Sequence, residues 1–389
     1  MSATWFQPHH VNVQRCVYCA HVPTSTPSTA NAVSPDSGEP WSVEGAWRVA
    51  DGILRIPLPL PMDALKAINV YVIETDQGLT LIDGGWAIEI ARKQLDRCLG
   101  GIGYGFGDIR RFLVTHVHRD HYTMATVLGN EYGADVSLGA QERSALDLLN
   151  DLGTFATSPF AQVLVSCGAP DLAAAWSRND EDRALDPSLW QYPDTWLDGD
   201  QQIAVGVHTL DAVHTPGHTP GHFVFADQSA GLLFAGDHVL PTITPSIGFT
   251  VPPAPDPLGD FMASLTRVRA LPDLRILPAH GPVAPSSHAR VDELLAFHEH
   301  RLELSLAALS AGPRTAYDVA HTLPWTRREK SMDELDTTNQ GMAAMETKAH
   351  LELLVARGQA TRDVTDEGIA LFMAVSAVNE ERGSIGRSG

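Results

Sequence analysis

The sequence predicts an α+β fold in which two β-sheets pack together and helices cover their outer faces. Short apolar strands separated by turn residues alternate with segments of helical spacing, and this strand–helix run occurs twice. Each run ends in residue types that bind metal ions, so we expect a site at the strand ends. The 389 residues, 44% of them hydrophobic, are enough for one large domain and a smaller one.

The N-terminal residues 1–40 are rich in Pro, Ser, Thr and Asn and show no apolar period, which predicts a disordered or extended segment. Within it, Cys16 and Cys19 have the C-x-x-C spacing of a zinc half-site. A structural zinc ion needs four ligands, and no second cysteine pair follows, which favours two free thiols. Four cysteines in a chain of this length, without a recognisable secretory signal, predict a cytoplasmic protein.

The charge balance limits the class of partner. The chain has 27 Lys and Arg against 47 Asp and Glu, a formal net charge of -20. Nucleic acid is an improbable partner, because binding it requires basic side chains that neutralise phosphates. The sequence also has no apolar run long enough to cross a membrane. A small-molecule substrate fits these observations best.

The first strand–helix run contains five predicted strands and three predicted helices. The strands cover residues 47–56, 67–74, 79–82, 112–115 and 135–138, and the helices cover 86–99, 124–132 and 140–149. An irregular segment, 154–196, follows and contains six aromatic residues. Aromatic residues in such an insertion either pack in the core or form a lid over the site, and we expect a lid-like segment.

The second run repeats the pattern of strands around one helix. Strands are predicted over residues 202–210, 223–226, 232–235 and 275–277, and a helix over 260–271. The two runs together account for the two predicted sheets.

One octapeptide at residues 115–122, Thr-His-Val-His-Arg-Asp-His-Tyr, concentrates ligand-type side chains directly after an apolar strand. Alternate residues of a strand share a face, so His116 and His118 can point at one ion. The turn that follows can aim Asp120 and His121 at a neighbouring position. The octapeptide therefore suggests two metal ions.

Three later motifs each follow a predicted strand. They are Thr-Pro-Gly-His ending at His218, Ala-Gly-Asp-His with Asp237, and Pro-Ala-His-Gly with His280. With the H-x-H-x-D-H octapeptide, they resemble the signature of the metallo-β-lactamase superfamily of hydrolases over roughly residues 47–288. The resemblance implies an αβ/βα sandwich with the site at one edge of the two sheets.

By this resemblance, His116, His118 and His218 would hold a first metal ion and Asp120, His121 and His280 a second, with Asp237 bridging them. His214 and His222 would support these ligands without binding metal. Asp83 and Thr115 are candidates to orient the ligating imidazoles, although Asp83 could also be a plain turn residue. Imidazole and carboxylate ligands suit zinc, with manganese or iron as alternatives.

The resemblance also implies a reaction. A metal-bound hydroxide would attack an electrophilic carbonyl, with Asp120 and Asp237 as the catalytic residues. The sequence has no G-x-S-x-G motif, which disfavours a serine hydrolase. Dedicated β-lactamases of the superfamily generally lack the bridging aspartate, so the chain is most similar to the glyoxalase II and lactonase-like group. We therefore expect cleavage of a small thioester, ester or lactone.

The C-terminal region, 289–389, is predicted to be a small, mostly helical domain that follows a catalytic domain at 41–288. Helices over 292–310 and 342–357 and a possible wing over 368–374 resemble the winged-helix-like extension of a lactamase-like subgroup that includes an endoribonuclease. Two alternatives follow, a metal-dependent endoribonuclease and a non-catalytic metal-dependent regulator that binds DNA. Residues 290–389 carry 11 Lys and Arg against 16 Asp and Glu, which favours homodimerisation or closure of the active-site entrance over DNA reading.

Overall fold

The computed structural model of the protein describes residues 40–61, 65–151, 159–181, 186–326 and 328–375. The predicted N-terminal segment, with Cys16 and Cys19, lies outside these residues except for its last position. Among the described helices, none combines the length and the apolar character needed to cross a membrane.

Seven strands form the first sheet, in the order in which they occur along the chain. They are β1 (Trp47–Ala50), β2 (Ile53–Pro59), β3 (Ala67–Thr75), β4 (Gly78–Ile82), β5 (Ile109–Leu113), β6 (Asp135–Gly139) and β7 (Thr195–Leu197). Strands β1 to β4 pair antiparallel in chain order, whereas β4 to β7 are parallel neighbours. Parallel neighbours need crossover connections, and each of the three connections here contains at least one helix.

Three helices pack on the outer face of this sheet. They are α1 (Glu89–Gly101), α2 (Arg119–Tyr132) and α3 (Arg143–Asp151). Their apolar residues, such as Leu95, Leu128 and Leu146, are fully or almost fully buried in one cluster with the sheet's Val70 and Phe112. Burial of an aliphatic side chain contributes about 1.5–3 kcal/mol, so this cluster fixes the helices on the sheet.

Five strands form the second sheet, in the order β12-β11-β10-β9-β8. They are β8 (Gln201–Val205), β9 (His208–His214), β10 (Phe223–Asp227), β11 (Leu232–Gly236) and β12 (Arg275–Pro278). Only the pairing of β11 with β12 is parallel, and α6 (Pro257–Arg269) forms that crossover.

The two sheets face each other across an apolar layer. Ile53 and Tyr71 of the first sheet and Phe225 and Phe234 of the second are buried in it. The Tyr71 and Phe234 rings meet edge to face, with centroids 5.4 Å apart. The layers therefore run helices, sheet, sheet, helices, which confirms the predicted αβ/βα sandwich.

Two predicted strands are each a hairpin of two strands, so both predictions were wrong in this respect. The predicted strand 47–56 contains the turn between β1 and β2, where Gly52 has a φ of 67°. The predicted strand 202–210 contains the turn between β8 and β9, where Gly206 has a φ of 58°. Glycine adopts this left-handed conformation without steric cost, so a single glycine was enough to reverse the chain.

The remaining helices cover the outer face of the second sheet. The described part of the insertion forms α4 (Pro159–Ser166) and α5 (Pro170–Glu181), and the C-terminal region forms α7 (Ser287–Ala308), α8 (Ala316–Ala320), α9 (Thr337–Ala356) and a hairpin of β13 (Ala360–Val364) and β14 (Ala370–Ala374). One cluster of buried apolar residues joins the insertion, the second sheet and these C-terminal elements. The predicted domain boundary near residue 288, the lid and the homodimer stay predictions.

Candidate metal centre

The predicted ligands lie beyond the carboxyl ends of strands from both sheets. His116 and His118 follow β5, Asp120 and His121 lie in α2, His218 follows β9, Asp237 follows β11, and His280 follows β12. The structure brings all seven together in two groups whose ligand atoms lie within 4.8 Å of one another. One group contains His116, His118, His218 and Asp237, and the other contains Asp120, His121 and His280.

The local structure of the octapeptide differs from the prediction in two ways. Strand β5 ends at Leu113, so His116 and His118 lie in a loop and do not share a strand face. Helix α2 begins at Arg119, so Asp120 and His121 lie in its first turn and not in a connecting turn. Polar and ligand residues make up that first turn, so the apolar spacing that marks a helix starts only later.

Three imidazoles converge in the first group. The Nε2 atom of His116 lies 2.9 Å from Nδ1 of His118, which lies 3.1 Å from Nε2 of His218. The Nδ1 atom of His218 donates to the backbone carbonyl of Ser246 at 2.8 Å, which leaves its Nε2 atom with a lone pair. Burial, with His218 close by, lowers the pKa of His118 to about 3. These rings are therefore neutral at physiological pH, the form that binds metal.

The second group combines one carboxylate with two imidazoles. The Oδ2 atom of Asp120 lies 3.8 Å from Nε2 of His121 and 3.4 Å from Nε2 of His280. The Nδ1 atom of His280 donates to the backbone carbonyl of Ala67 at 2.9 Å, which aims Nε2 at the carboxylates. Each ring is therefore held through the nitrogen that faces away from the group.

Asp237 lies between the two groups. Its Oδ2 atom is 3.4 Å from Nε2 of His218 in the first group and 3.7 Å from Nε2 of His121 in the second. Its Oδ1 atom is 3.3 Å from Nε2 of His280. One carboxylate therefore reaches imidazoles of both groups.

Buried polar atoms that have no hydrogen-bond partner indicate whether the site fits metal ions. Nε2 of His121, Nε2 of His280 and Oδ1 of Asp237 are buried, and none has a hydrogen-bond partner among the described residues. A buried polar atom left unsatisfied costs about 1–3 kcal/mol. All three atoms point into the site and belong to types that coordinate divalent cations, so the residues fit a metal centre.

The electrostatics of the second group favour positive charge. Burial alone would lower the pKa of His280, but the carboxylates of Asp237 and Asp120 raise it to about 10. Burial alone would raise the pKa of Asp120, but His121 and His280 hold it well below its usual value. Ionised carboxylates with little access to water create a strongly attractive potential for cations.

Asp83 and Thr115 contact the ligating rings, as predicted from the resemblance. The Oδ2 atom of Asp83 lies 2.9 Å from Nδ1 of His121. Its Oδ1 atom accepts hydrogen bonds from the backbone N–H and the hydroxyl of Thr115, at 2.8 and 3.0 Å. The Thr115 hydroxyl also lies 3.1 Å from Nδ1 of His116. Asp83 therefore orients a predicted ligand directly, which the plain turn interpretation does not explain.

His214 and His222 support the loops and stand outside both ligand groups. Nε2 of His222 accepts a hydrogen bond from the backbone N–H of Asp237 at 3.1 Å, and its Nδ1 atom lies 2.9 Å from the Thr215 hydroxyl. Nε2 of His214 donates to the carbonyl of Pro220 at 2.8 Å. These contacts hold the loop that carries His218 next to the loop that carries Asp237.

Sequence reasoning missed the buried polar residues that hold these loops. Asn69 and Glu142 are both fully buried. Asn69 donates hydrogen bonds to the backbone around His280, and Glu142 accepts one from the hydroxyl of Thr219, next to His218. The available signal was Asn69 itself, an amide in the middle of an otherwise apolar strand.

Comparison with known proteins gives one family match. The family model described as "Metallo-beta-lactamase superfamily" matches residues 64–280. The chain is 25% identical to the probable metallo-hydrolase YqjP of Bacillus subtilis, over 79% of this chain and 93% of that protein. It is also 31% identical to the atrochrysone carboxyl ACP thioesterase AgnL7 of Paecilomyces divaricatus, over 36% of this chain and 39% of that one.

Solved structures agree over most of the chain. A metallo-beta-lactamase family protein, TTHA1429 of Thermus thermophilus, superimposes with a TM-score of 0.70 and 28% identity, covering 84% of this chain and 100% of that one. A beta-lactamase domain protein from Burkholderia ambifaria gives a TM-score of 0.70 and 26% identity, covering 87% of this chain and 95% of that one. Coverage of this extent includes much of the C-terminal region as well as the sandwich.

Proposed function

Because the chain belongs to the metallo-β-lactamase superfamily and is a metal-dependent hydrolase, we propose that it uses two divalent cations to cleave small thioesters, esters or lactones. The position of Asp237 carries the two-cation part of the proposal. Its two carboxylate oxygens lie within 3.7 Å of imidazole nitrogens from both groups. Two cations that share a carboxylate can act on one substrate group together.

The proposal assigns each ligand to one cation. His116, His118 and His218 hold the first, and Asp120, His121 and His280 hold the second, with Asp237 shared. We propose zinc as the metal, because these imidazole and carboxylate ligands suit it, with manganese or iron as alternatives.

The nucleophile in this proposal is water. Among the described residues, the two cysteines, Cys98 and Cys167, are both buried. Burial raises the pKa of the Cys167 thiol to about 12, so it stays protonated and unreactive. Bound divalent cations would supply Lewis acidity and lower the pKa of a nearby water, so that the water gives up a proton and becomes nucleophilic enough to attack a carbonyl.

Asp120 directs that water. Its side chain is 15% exposed, whereas that of His121 beside it is completely buried, so Asp120 is the more accessible of the two to water. His121 and His280 keep it ionised by holding its pKa low. As an ionised carboxylate it accepts a hydrogen bond from the attacking water, and the proton that this water loses on attacking the carbonyl passes along it to the departing thiolate or alkoxide. Asp237 contacts imidazoles of both ligand groups and keeps the two groups at a fixed distance from each other during this transfer.

Two observations support the substrate class. The matched relative AgnL7 is named a thioesterase, and the same ligand chemistry serves esters and lactones because all three present an activated carbonyl. The net charge of -20 disfavours RNA or DNA as a substrate.

The test is elemental analysis of the purified protein combined with a substrate panel. We expect about two zinc ions per chain and hydrolysis of at least one thioester, ester or lactone, lost on treatment with a chelator. Asp120→Asn should lower kcat by about 10²–10⁴-fold, because it removes the carboxylate that passes on the proton and, with it, the ionised ligand of the second cation.

His300→Ala is the control, since this histidine lies on α7 with a half-exposed side chain. It should leave metal content and kcat unchanged. A protein that holds no stoichiometric transition metal would overturn the proposal. Cleavage of single-stranded RNA in place of all three carbonyl substrates would overturn the substrate class and favour the endoribonuclease.

A further inference from the structure

Asn69 is a polar residue in a strand that is otherwise apolar at this point. It lies on β3 between Ile68 and Val70, and all three residues are completely buried. An amide without water needs partners for two N–H groups and one oxygen. The partners of its two side-chain N–H groups lie more than two hundred residues away, in the loop that carries His280.

The contacts of Asn69 cover this loop from one end to the other. The Nδ2 atom donates to the carbonyls of Pro278 at 3.0 Å and Gly281 at 2.8 Å, which flank His280. The backbone N–H of the same residue donates to the carbonyl of Ala279 at 2.7 Å. One residue therefore binds the backbone of three of the four residues 278–281.

Arg55 fixes which way the amide points. Its Nη1 atom donates to Oδ1 of Asn69 at 2.9 Å, and its side chain is also completely buried. A guanidinium group has only donors, so the amide atom facing it must be the oxygen. The Nδ2 atom is then left for the two carbonyls of the loop.

We propose that Asn69 is the positioning residue for His280, and that its two side-chain hydrogen bonds hold Nε2 of His280 at the second metal position. The inference rests on the proposed two-metal function. His280 also donates from Nδ1 to the carbonyl of Ala67, two residues earlier on the same strand face. Strand β3 therefore fixes both the orientation of the His280 ring and the position, relative to the sheet, of the loop that carries it.

The position of Nε2 depends on this support. It stands 3.4 Å from Oδ2 of Asp120 and 3.3 Å from Oδ1 of Asp237. The loop turns at Gly281, where φ is 98°, a conformation that glycine adopts without steric cost. Groups that hydrogen-bond a metal ligand on its side away from the metal are important for affinity, and their loss typically weakens metal binding by about 10–100-fold.

Asn69→Asp is the primary variant, because it keeps the size of the side chain and the contact with Arg55 while removing both N–H donors. The metal-free full-length protein is titrated with Zn²⁺ against a chromophoric chelator, which yields two dissociation constants. We expect one constant to rise about 10–100-fold and the other to stay unchanged. The variant Asn69→Ser, which keeps one donor, provides the same measurement if the aspartate prevents folding.

Tyr71→Phe is the matched control. Its hydroxyl also donates to the carbonyl of Pro278, at 2.8 Å, from the same face of β3. The phenylalanine variant removes one contact with the loop and leaves both Asn69 bonds in place. It should therefore bind two zinc ions with nearly normal affinity, whatever stability it loses.

A second experiment, in a His280→Ala protein, distinguishes a positioning role of Asn69 from a general loss of structure. In a His280→Ala protein, Asn69→Asp should leave the affinity of the remaining ion unchanged, because Asn69 acts through His280. The proposal is overturned if Asn69→Asp alone binds both ions normally, if it weakens both equally, or if it weakens the remaining ion in the His280→Ala background. Wild-type protein that binds fewer than two zinc ions would instead count against the two-metal function itself.

Discussion

The Oδ2 atom of Asp83 lies 2.9 Å from Nδ1 of His121, and the two side chains are 3% and 0% exposed. The contact fixes the ring so that Nε2 faces the two carboxylates of the centre. A carboxylate behind a metal-binding imidazole also raises the basicity of the ring.

Replacing this carboxylate should weaken the second metal ion. Asp83 has a φ of 61°, a left-handed conformation that asparagine tolerates better than alanine, so Asp83→Asn isolates the loss of charge. We expect the zinc affinity of that position to fall about 10–100-fold while the first ion is unaffected. Chelator competition measures both constants, and Asp76→Asn in the β3–β4 turn is the control. Unchanged affinities in Asp83→Asn would show that the contact does not tune the metal.

Removal of metal should lower the stability of the whole fold. The centre joins loops from both sheets, and its unsatisfied atoms, such as Nε2 of His121 and Oδ1 of Asp237, are buried. An ion that binds only the folded state stabilises it by about 2.7 kcal/mol at one hundred times its dissociation constant. Thermal unfolding should shift down after chelation and recover with Zn²⁺. Mg²⁺ should not restore it, because magnesium prefers oxygen ligands in octahedral geometry. Recovery with Mg²⁺ alone would contradict the assigned ligand chemistry.

Glu142 should make stability depend on pH. Burial raises its pKa to about 7, although the Thr219 hydroxyl and the backbone N–H groups of Val117 and Gly221 lower it in part. The folded-state pKa is above the unfolded value of about 4.3, so the stabilising effect is complete below that value and is lost as the pH rises through 7. The full effect is about 3–4 kcal/mol.

Urea unfolding at a series of pH values measures this effect. The difference in free energy of unfolding between wild type and Glu142→Gln should decline as the pH rises from 4.5 to 8, because glutamine does not ionise. Parallel curves for the two proteins would show that Glu142 does not titrate in this range.

Replacement of Gly341 by alanine should test how tightly the insertion packs against the C-terminal region. A Cβ atom at this position of α9 would lie 2.1 Å from the Trp176 ring of α5. Alanine should favour the helix by about 1 kcal/mol, but the overlap should cost about 1–3 kcal/mol, for a net loss of stability. Gly100→Ala is the matched control, since a Cβ atom on this α1 glycine would meet nothing within 4 Å. We expect the control to be neutral or stabilising in thermal unfolding. Equal effects of the two substitutions would mean that α5 does not pack tightly on α9.

The ligand set was predictable from sequence because each motif is short and keeps its residues close together. His218, Asp237 and His280 each follow a strand of the second sheet, and the edge of that sheet brings them to the octapeptide. The order of strands and most helices followed from the apolar spacing. The two packed sheets were therefore predictable from the pattern of strands and helices, whereas the αβ/βα sandwich and the assignment of each ligand followed from the resemblance to the metallo-β-lactamase superfamily.

The features that the sequence did not predict depended on local glycine conformation or on contacts between residues far apart in the chain. The turns at Gly52 and Gly206 each lie within one run of strand-forming residues, and the turn signals there, such as Asp51-Gly52, are short enough to be included in a single predicted strand. The support of His280 by Asn69 joins residues more than two hundred positions apart, and no local rule reveals such a partner. Buried amides in apolar strands deserve a search for distant backbone partners for that reason.

The apolar cluster on the outer face of the second sheet has a consequence for folding during synthesis. Its members run from Ala161 in the insertion to Phe372 in the last hairpin. Ribosomes release the chain from its N-terminal end, so β8 to β12 emerge after α4 and α5 but before α7 and α9, the C-terminal helices that complete the cover of this face. The nascent protein must therefore carry an incompletely covered apolar sheet face until α7 and α9 have emerged. That interval is when this chain is most exposed to aggregation and most in need of a chaperone.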